Sequence, residues 1–173
     1  MKEFGDKLEQ INTVVLDMDG VLTDGSVLIN ESGDHLRIMN IKDGYALQHA
    51  VKSGLNIAII SGGSSEGARL RFEKLGVTEV HLGVAHKEER LKEVVEKFGV
   101  TLENVLYMGD DIPDYKVMEM AGIGACPADA AHEIRHIADY ISKKEGGRGC
   151  VREVLEMILR LKGQWMNEQA YSW

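Results

Sequence analysis

The sequence predicts an α/β protein with a three-layer α/β/α fold built on a mainly parallel sheet. Two patterns predict it. Short apolar, β-branched runs alternate with segments whose apolar residues recur at helical spacing, and the apolar runs end in acidic, hydroxyl or glycine residues. Length sets the scale: 173 residues at 44% hydrophobic support one well-buried core and leave no room for two ordinary domains, so 1–173 reads as one domain.

Thr13 to Leu16 is the first buried strand, and Asp17 stands at its carboxyl end. Val27 to Ile29 and Leu36 to Ile38 flank the turn-rich Asn30 to Asp34, which reads as a β-hairpin flap within about 24–41. From Asp43, taken as an N-cap, Ala46, Leu47, Ala50 and Val51 form a helical stripe that Gly54 stops. Leu55 to Ile60 is a second apolar strand, ending at Ser61-Gly62. A helix near Ser65 to Leu75 and a strand near Glu79 to Leu82 follow. Next comes a helix opening near Lys87, with Leu91, Val94, Val95 and Phe98 on one face. Asn104 to Met108 is a strand that ends at Gly109-Asp110-Asp111; Lys116 to Ala121 is a turn of helix, and Ile123 to Cys126 a strand. After a further helix and strand, Val151, Val154, Leu155, Ile158 and Leu159 mark the closing helix before a tail over 163–173.

Composition narrows the function classes. No apolar run approaches the roughly 20 residues of a membrane span, and Met1 to Gln10 is charged, unlike a signal peptide, so the expectation is a cytoplasmic protein with no membrane partner. Cys126 and Cys150 lack metal-ligand spacing and read as reduced thiols, and the six histidines show no zinc spacing. A net charge of -8 argues against nucleic-acid binding, which needs a clustered basic surface.

In open parallel sheets ligands bind outside the carboxyl ends of the strands, where the polar elements named above all fall. Asp17 and Asp19, leaving the first strand together, can divide the work of a nucleophile and of a proton donor and acceptor. Asp110 and Asp111 add hard oxygen ligands of the kind that Mg²⁺ takes alongside substrate phosphate and water. Phosphoryl transfer spreads negative charge over three oxygens, and Lys87, Ser61 and the N–H groups of Ser61-Gly62-Gly63 are the matching donors. Singly each feature is commonplace; their joint order along the chain carries the inference.

That order, Asp17-x-Asp19-Gly20, then Ser61, then Lys87, then Gly109-Asp110-Asp111-x-x-Asp114, resembles the four motifs of the haloacid dehalogenase superfamily over nearly the whole chain. The resemblance implies a Rossmann-like fold and a Mg²⁺-dependent phosphatase working through an aspartyl-phosphate. Asp17 would be the nucleophile and a metal ligand. Asp19 would be the general acid and base and lend a backbone carbonyl to the metal, with Asp110 the second carboxylate ligand. Ser61 and Lys87 would hold the phosphoryl group. Asp111 and Asp114 would be supporting acids, Asp114 on metal-bound water or on Lys87.

Many members carry a cap domain, for which neither 24–54 nor 64–86 leaves room. A two-stranded hairpin is marginal in water by itself, and the apolar flap residues call for a partner surface, with folding back on its own domain as the alternative. More narrowly, Asp17 to Gly25, Lys42-Asp43-Gly44-Tyr45, Gly109 to Asp114 and Gly146-Gly147-Arg148-Gly149 resemble the capless, tetrameric branch of 3-deoxy-D-manno-octulosonate 8-phosphate phosphatases of lipopolysaccharide synthesis. That resemblance implies a homotetramer whose flap and C-terminal tail lie at neighbouring active sites.

A sugar-acid phosphate carries a carboxylate besides its phosphate, which calls for a cation, best a planar arginine. Arg71, on the helix after Ser61, is the first choice and Arg148 the second, with Gly62 among the substrate-binding residues. Gly63 departs from the long polar or charged residue common in related phosphatases, which leaves a nonulosonate 9-phosphate open as substrate. Two other readings remain: a receiver-type module that accepts phosphate without hydrolysing it, against which the Asp17-x-Asp19 pair argues, and a catalytically idle subunit, against which the intact motifs argue.

Overall fold

Alternation along the strands sets the layers. In the computed structural model of the chain, residues 2–172 are described; Met1 and Trp173, the two ends named above, lie outside them. The strands are β1 (Thr13–Leu16), β2 (Leu28–Ile29), β3 (His35–Leu36), β4 (Asn56–Ile60), β5 (Glu79–His81), β6 (Val105–Met108), β7 (Ile123–Cys126) and β8 (Tyr140–Ile141). The helices are α1 (Lys2–Gln10), α2 (Ile41–Lys52), α3 (Glu66–Lys74), α4 (Lys87–Phe98), α5 (Tyr115–Met120), α6 (His132–Ile137) and α7 (Cys150–Leu161).

Successive strand residues face opposite sides. Val14, Leu16, Ile57, Ile59, Leu106 and Met108 join one apolar cluster with Leu8, Leu47, Phe72 and Leu155, which puts α1, α2, α3 and α7 on that face. Val15, Ala58, Ile60, Val105 and Tyr107 join Leu91, Val117, Met118 and Ile134 on the other, which puts α4, α5 and α6 there. With both faces covered, the inner strands β1, β4, β6 and β7 are mostly apolar on both sides, as buried parallel strands tend to be.

The six-stranded sheet runs β5-β4-β1-β6-β7-β8, all parallel. The chain moves outward from β1 through β4 to β5, then crosses back to β6 on the other side of β1. The sheet's switch point, where loops diverge and leave a crevice, thus falls at the carboxyl ends of β1, β4 and β6.

β2 and β3 form a separate antiparallel hairpin, pairing Leu28 with Leu36 and Ile29 with His35. Asn30 Oδ1 accepts the Ser32 and Asp34 N–H groups and fixes its turn. Val27, Leu28, Ile29, Leu36 and Ile38 are exposed on it.

One local reading is corrected: Asn40, not Asp43, caps α2, accepting the Lys42 N–H. The charged start, to which the sequence assigns no element, is a helix whose Leu8 is buried in the first cluster. The tail folds onto α2: Trp165 is buried, and Tyr45 donates from its hydroxyl to the Ala170 carbonyl at 2.5 Å. No helix among the described residues is long and apolar enough to cross a membrane.

Candidate active site

The loops after β1, β4 and β6 meet because each is tied to its neighbouring strand. Asp17 N–H donates to the Met108 carbonyl at 2.9 Å, Ser61 N–H to the His81 carbonyl at 3.0 Å, and Gly109 N–H to the Ala125 carbonyl at 3.2 Å. A cavity of about 540 Å³ opens there, lined by Asp17, Asp19, Ser61, Gly62, Lys87, Asp110, Asp111 and Asp114.

Lys87 organises the centre. It is the first residue of α4, where an ammonium opposes the helix dipole, yet it is buried rather than solvated. Two carboxylates hold it there: Asp114 Oδ1 at 2.7 Å and Asp17 Oδ2 at 3.1 Å. Burial pulls its pKa down, but the charges of Asp17 and Asp114 outweigh burial and hold the ammonium above its usual value. Asp114 is nearly inaccessible; Oδ1 also accepts the Tyr107 hydroxyl at 2.8 Å and Oδ2 the Asp110 N–H at 3.2 Å. Burial, reinforced by the Asp114 charge, keeps the Tyr107 phenol protonated far above its ordinary range, so it acts as a donor.

The acids crowd one another. Burial and the nearby Asp114 charge push the Asp17 carboxyl up to about 6, against the pull of Lys87. Burial and the charges of Asp17, Asp114 and Asp111 push Asp110 up to about 8. One oxygen each from Asp17, Asp110 and Asp114 lies within 4.8 Å of the others. Asp114 is committed to Lys87, Tyr107 and a backbone N–H, whereas no donor among the described residues satisfies the Asp110 carboxylate. Hard oxygens, uncompensated charge and a half-buried position fit a small divalent cation held chiefly by Asp17 and Asp110. Gly20, at φ 87°, lies so close to the Asp110 carboxylate that any Cβ there would overlap it.

The remaining candidates spread outward. Ser61 is buried and its hydroxyl accepts the Gly63 N–H at 3.2 Å, while Asp111 caps a short 3₁₀ turn through the Ile112 N–H and lines the cavity. Arg71 stands outside that cavity, in a neighbouring one of about 300 Å³ shared with Arg37, and its guanidinium lies where a side chain on Gly44 would otherwise go. Arg148 is exposed and paired with Asp24 at 3.2 Å.

Three functional contacts were not anticipated from the sequence. Arg37 of the flap grips Asp19 with Nε at 2.6 Å and Nη2 at 3.0 Å; a cation interrupting the apolar Leu36 to Ile38 was the available signal. Tyr107 reaches Asp114 from inside a strand that reads as core. Asp43, buried in α2, accepts the Arg152 N–H at the start of α7.

An acidic cluster of this kind, set at the switch point of a parallel sheet around a buried lysine, defines a hydrolase of the haloacid dehalogenase class, and residues 78–154 match the model of haloacid dehalogenase-like hydrolases. The chain is 37% identical over 158 residues to the 3-deoxy-D-manno-octulosonate 8-phosphate phosphatase KdsC of Escherichia coli K12, covering 91% of this chain and 84% of that one. By that likeness it belongs to the KdsC family of 3-deoxy-D-manno-octulosonate 8-phosphate phosphatases. The crystal structure of the Yersinia pestis phosphatase superposes with a TM-score of 0.91 at 31% identity, covering 94% of this chain and 88% of that one. That of Moraxella catarrhalis, in complex with magnesium, phosphate and KDO, gives 0.90 at 36% identity over 93% and 92%.

Proposed function

We propose that the chain is a Mg²⁺-dependent phosphomonoesterase that hydrolyses 3-deoxy-D-manno-octulosonate 8-phosphate to the free sugar acid and phosphate. The observation that carries the reading is the convergence of Asp17, Lys87, Asp110 and Asp114 at one strand-end crevice. Family membership and the ligands of the Moraxella relative support the substrate and the metal.

Asp17 is the nucleophile: a carboxylate oxygen attacks phosphorus in line with the ester oxygen, and the P–O bond to the sugar breaks. Asp19, two residues on, gives the departing oxygen its proton and later takes one from the water that cleaves the aspartyl-phosphate. Lys87, held by Asp114, and Ser61 with the Gly62 N–H face the phosphoryl oxygens and stabilise their charge. Asp17, Asp110 and the Asp19 carbonyl would hold Mg²⁺, which when bound would supply neutralising positive charge to the site.

The assembly is a homotetramer in which each exposed flap covers a neighbour's site. Leu28, Ile29 and Ile38, at 64–80% exposed, support a partner surface there. The tail, anchored on α2 by Trp165, leaves Met166 and Tyr171 exposed for contact with a neighbouring site. Two buried free thiols, Cys126 and Cys150, suit the cytoplasm.

The test is phosphate release, with Mg²⁺ and with chelator, from the octulosonate 8-phosphate, a nonulosonate 9-phosphate and hexose phosphates. Preference for the first, lost on chelation and in Asp17→Asn, is expected. A nonulosonate preference overturns the substrate, and turnover by Asp17→Asn overturns the nucleophile.

A further inference from the structure

The flap delivers one guanidinium into the site. Arg37 leaves β3 with its side chain almost inaccessible, although the residues on either side of it, Leu36 and Ile38, are exposed. Nε and Nη2 take the two oxygens of Asp19, and Nη1 donates to the His35 carbonyl at 3.1 Å. A guanidinium has five N–H groups, so two are left after these contacts with described residues.

Gly63 makes this seat possible. A Cβ at position 63 would stand 2.5 Å from Asp19 Oδ2 and 2.9 Å from Arg37 Nη2, so any larger residue would displace the pair. Where a longer side chain would reach into the site from the loop after β4, this chain instead admits one from the flap. Arg37 also lines the 300 Å³ cavity that holds Arg71, while its partner Asp19 lines the catalytic cavity. It therefore stands at the boundary between the phosphate end of the site and a cavity that presents two guanidinium groups, its own and that of Arg71.

We propose that Arg37 is a specificity-determining and positioning residue: it orients Asp19 through one edge of its guanidinium and presents its free N–H groups to the carboxylate of the substrate. A planar, permanently charged fork can serve two carboxylates at once, which a lysine ammonium at the same place does less well. The inference rests on the sugar-acid phosphatase reading and adds to it the group that recognises the acid.

The experiment compares wild type, Arg37→Met, Arg37→Lys and Gly63→Ala on the octulosonate 8-phosphate and on p-nitrophenyl phosphate, which has no carboxylate. Arg37→Met is expected to lower kcat/KM for both, and to lower it about 30-fold more for the sugar-acid ester, chiefly through KM, as loss of a charged hydrogen bond predicts. Arg37→Lys restores part of that selectivity, and Gly63→Ala erodes it while leaving Arg37 in the chain. An unchanged ratio between the two esters in Arg37→Met overturns the proposal, whatever the common loss. Failure of the wild type to prefer the sugar-acid ester would instead sink the functional reading itself, so the two failures are distinguishable.

Discussion

Asp43 accepts the backbone N–H of Arg152 at 2.7 Å, across 109 positions of chain. The residue before α7 is Gly149, at φ 105°, which has no side chain to cap the helix. Asp43 serves as that cap from the first turn of α2. Next to it the glycine loop meets the loop after β1: Gly147 N–H donates to the Val21 carbonyl at 2.9 Å and the Cys150 thiol to the same carbonyl at 3.2 Å. One carboxylate thus ties α2 to α7 and steadies the loop that follows the proposed nucleophile.

Asp43→Ala should therefore lower the unfolding free energy by about 1–2 kcal/mol, the range for loss of a helix cap. Asp43→Asn, still an acceptor of the right length, should lose less. Urea denaturation of the two variants checks this, and equal stabilities for alanine and wild type would remove the cap from the account.

Gly146 approaches the loop after β1 so closely that a Cβ there would overlap the Gly20 carbonyl and stand 3.0 Å from the Thr23 carbonyl. Gly146→Ala must push that backbone aside, displacing Gly20 from the Asp110 carboxylate. A loss of about 1–3 kcal/mol of stability is expected, the ordinary range for overpacking, with kcat reduced at least tenfold. Thermal melts and steady-state kinetics report the two separately; normal kcat with reduced stability would show that the loop tolerates the shift.

How much of this was legible follows from what periodicity encodes. The apolar runs of β1, β4, β6 and β7 and the stripes of α4 and α7 were readable because each element buries a face with its own repeat. The acidic and hydroxyl positions followed from the strand ends, and Lys87 from the start of α4. Asn40 and Asp43 are both good N-cap residues, and local sequence cannot choose between them; the choice falls to α7, which needs Asp43. The Arg37–Asp19 pair spans a hairpin, and Tyr107 differs from a core residue only in its hydroxyl. No repeat records such contacts. The opening helix was missed because its charges hide a single buried face around Leu8.

Tyr107→Phe removes one of two donors to Asp114 Oδ1 and leaves Lys87 on it. The buried carboxylate then lacks a hydrogen bond, which should lower stability by about 1–2 kcal/mol and kcat several-fold. Asp114→Asn takes away one of the two carboxylate charges that hold Lys87, the nearer one, so kcat should fall by roughly two orders of magnitude, the scale of losing a transition-state charge partner. Turnover at saturating substrate distinguishes them: an equal loss in both would mean that the phenol does more than orient Asp114.

A metal held by Asp17 and Asp110, as proposed, would compete with protons for the same oxygens. In the metal-free protein Asp17 is raised to about 6 and Asp110 to about 8, both above the ordinary carboxylate value of 3.8. Between about pH 4 and 8 the folded chain therefore holds protons that the unfolded chain has released, and these two groups lower stability as pH rises through that window. Binding of Mg²⁺ expels the protons and removes the repulsion. The rise in melting temperature on adding Mg²⁺ should be larger at pH 8 than at pH 6, and titration calorimetry at pH 7 in buffers of different ionisation enthalpy should detect proton release. In Asp110→Asn both effects should shrink. Equal Mg²⁺ increments at the two pH values, with no proton release, would show that the metal does not sit among these carboxylates.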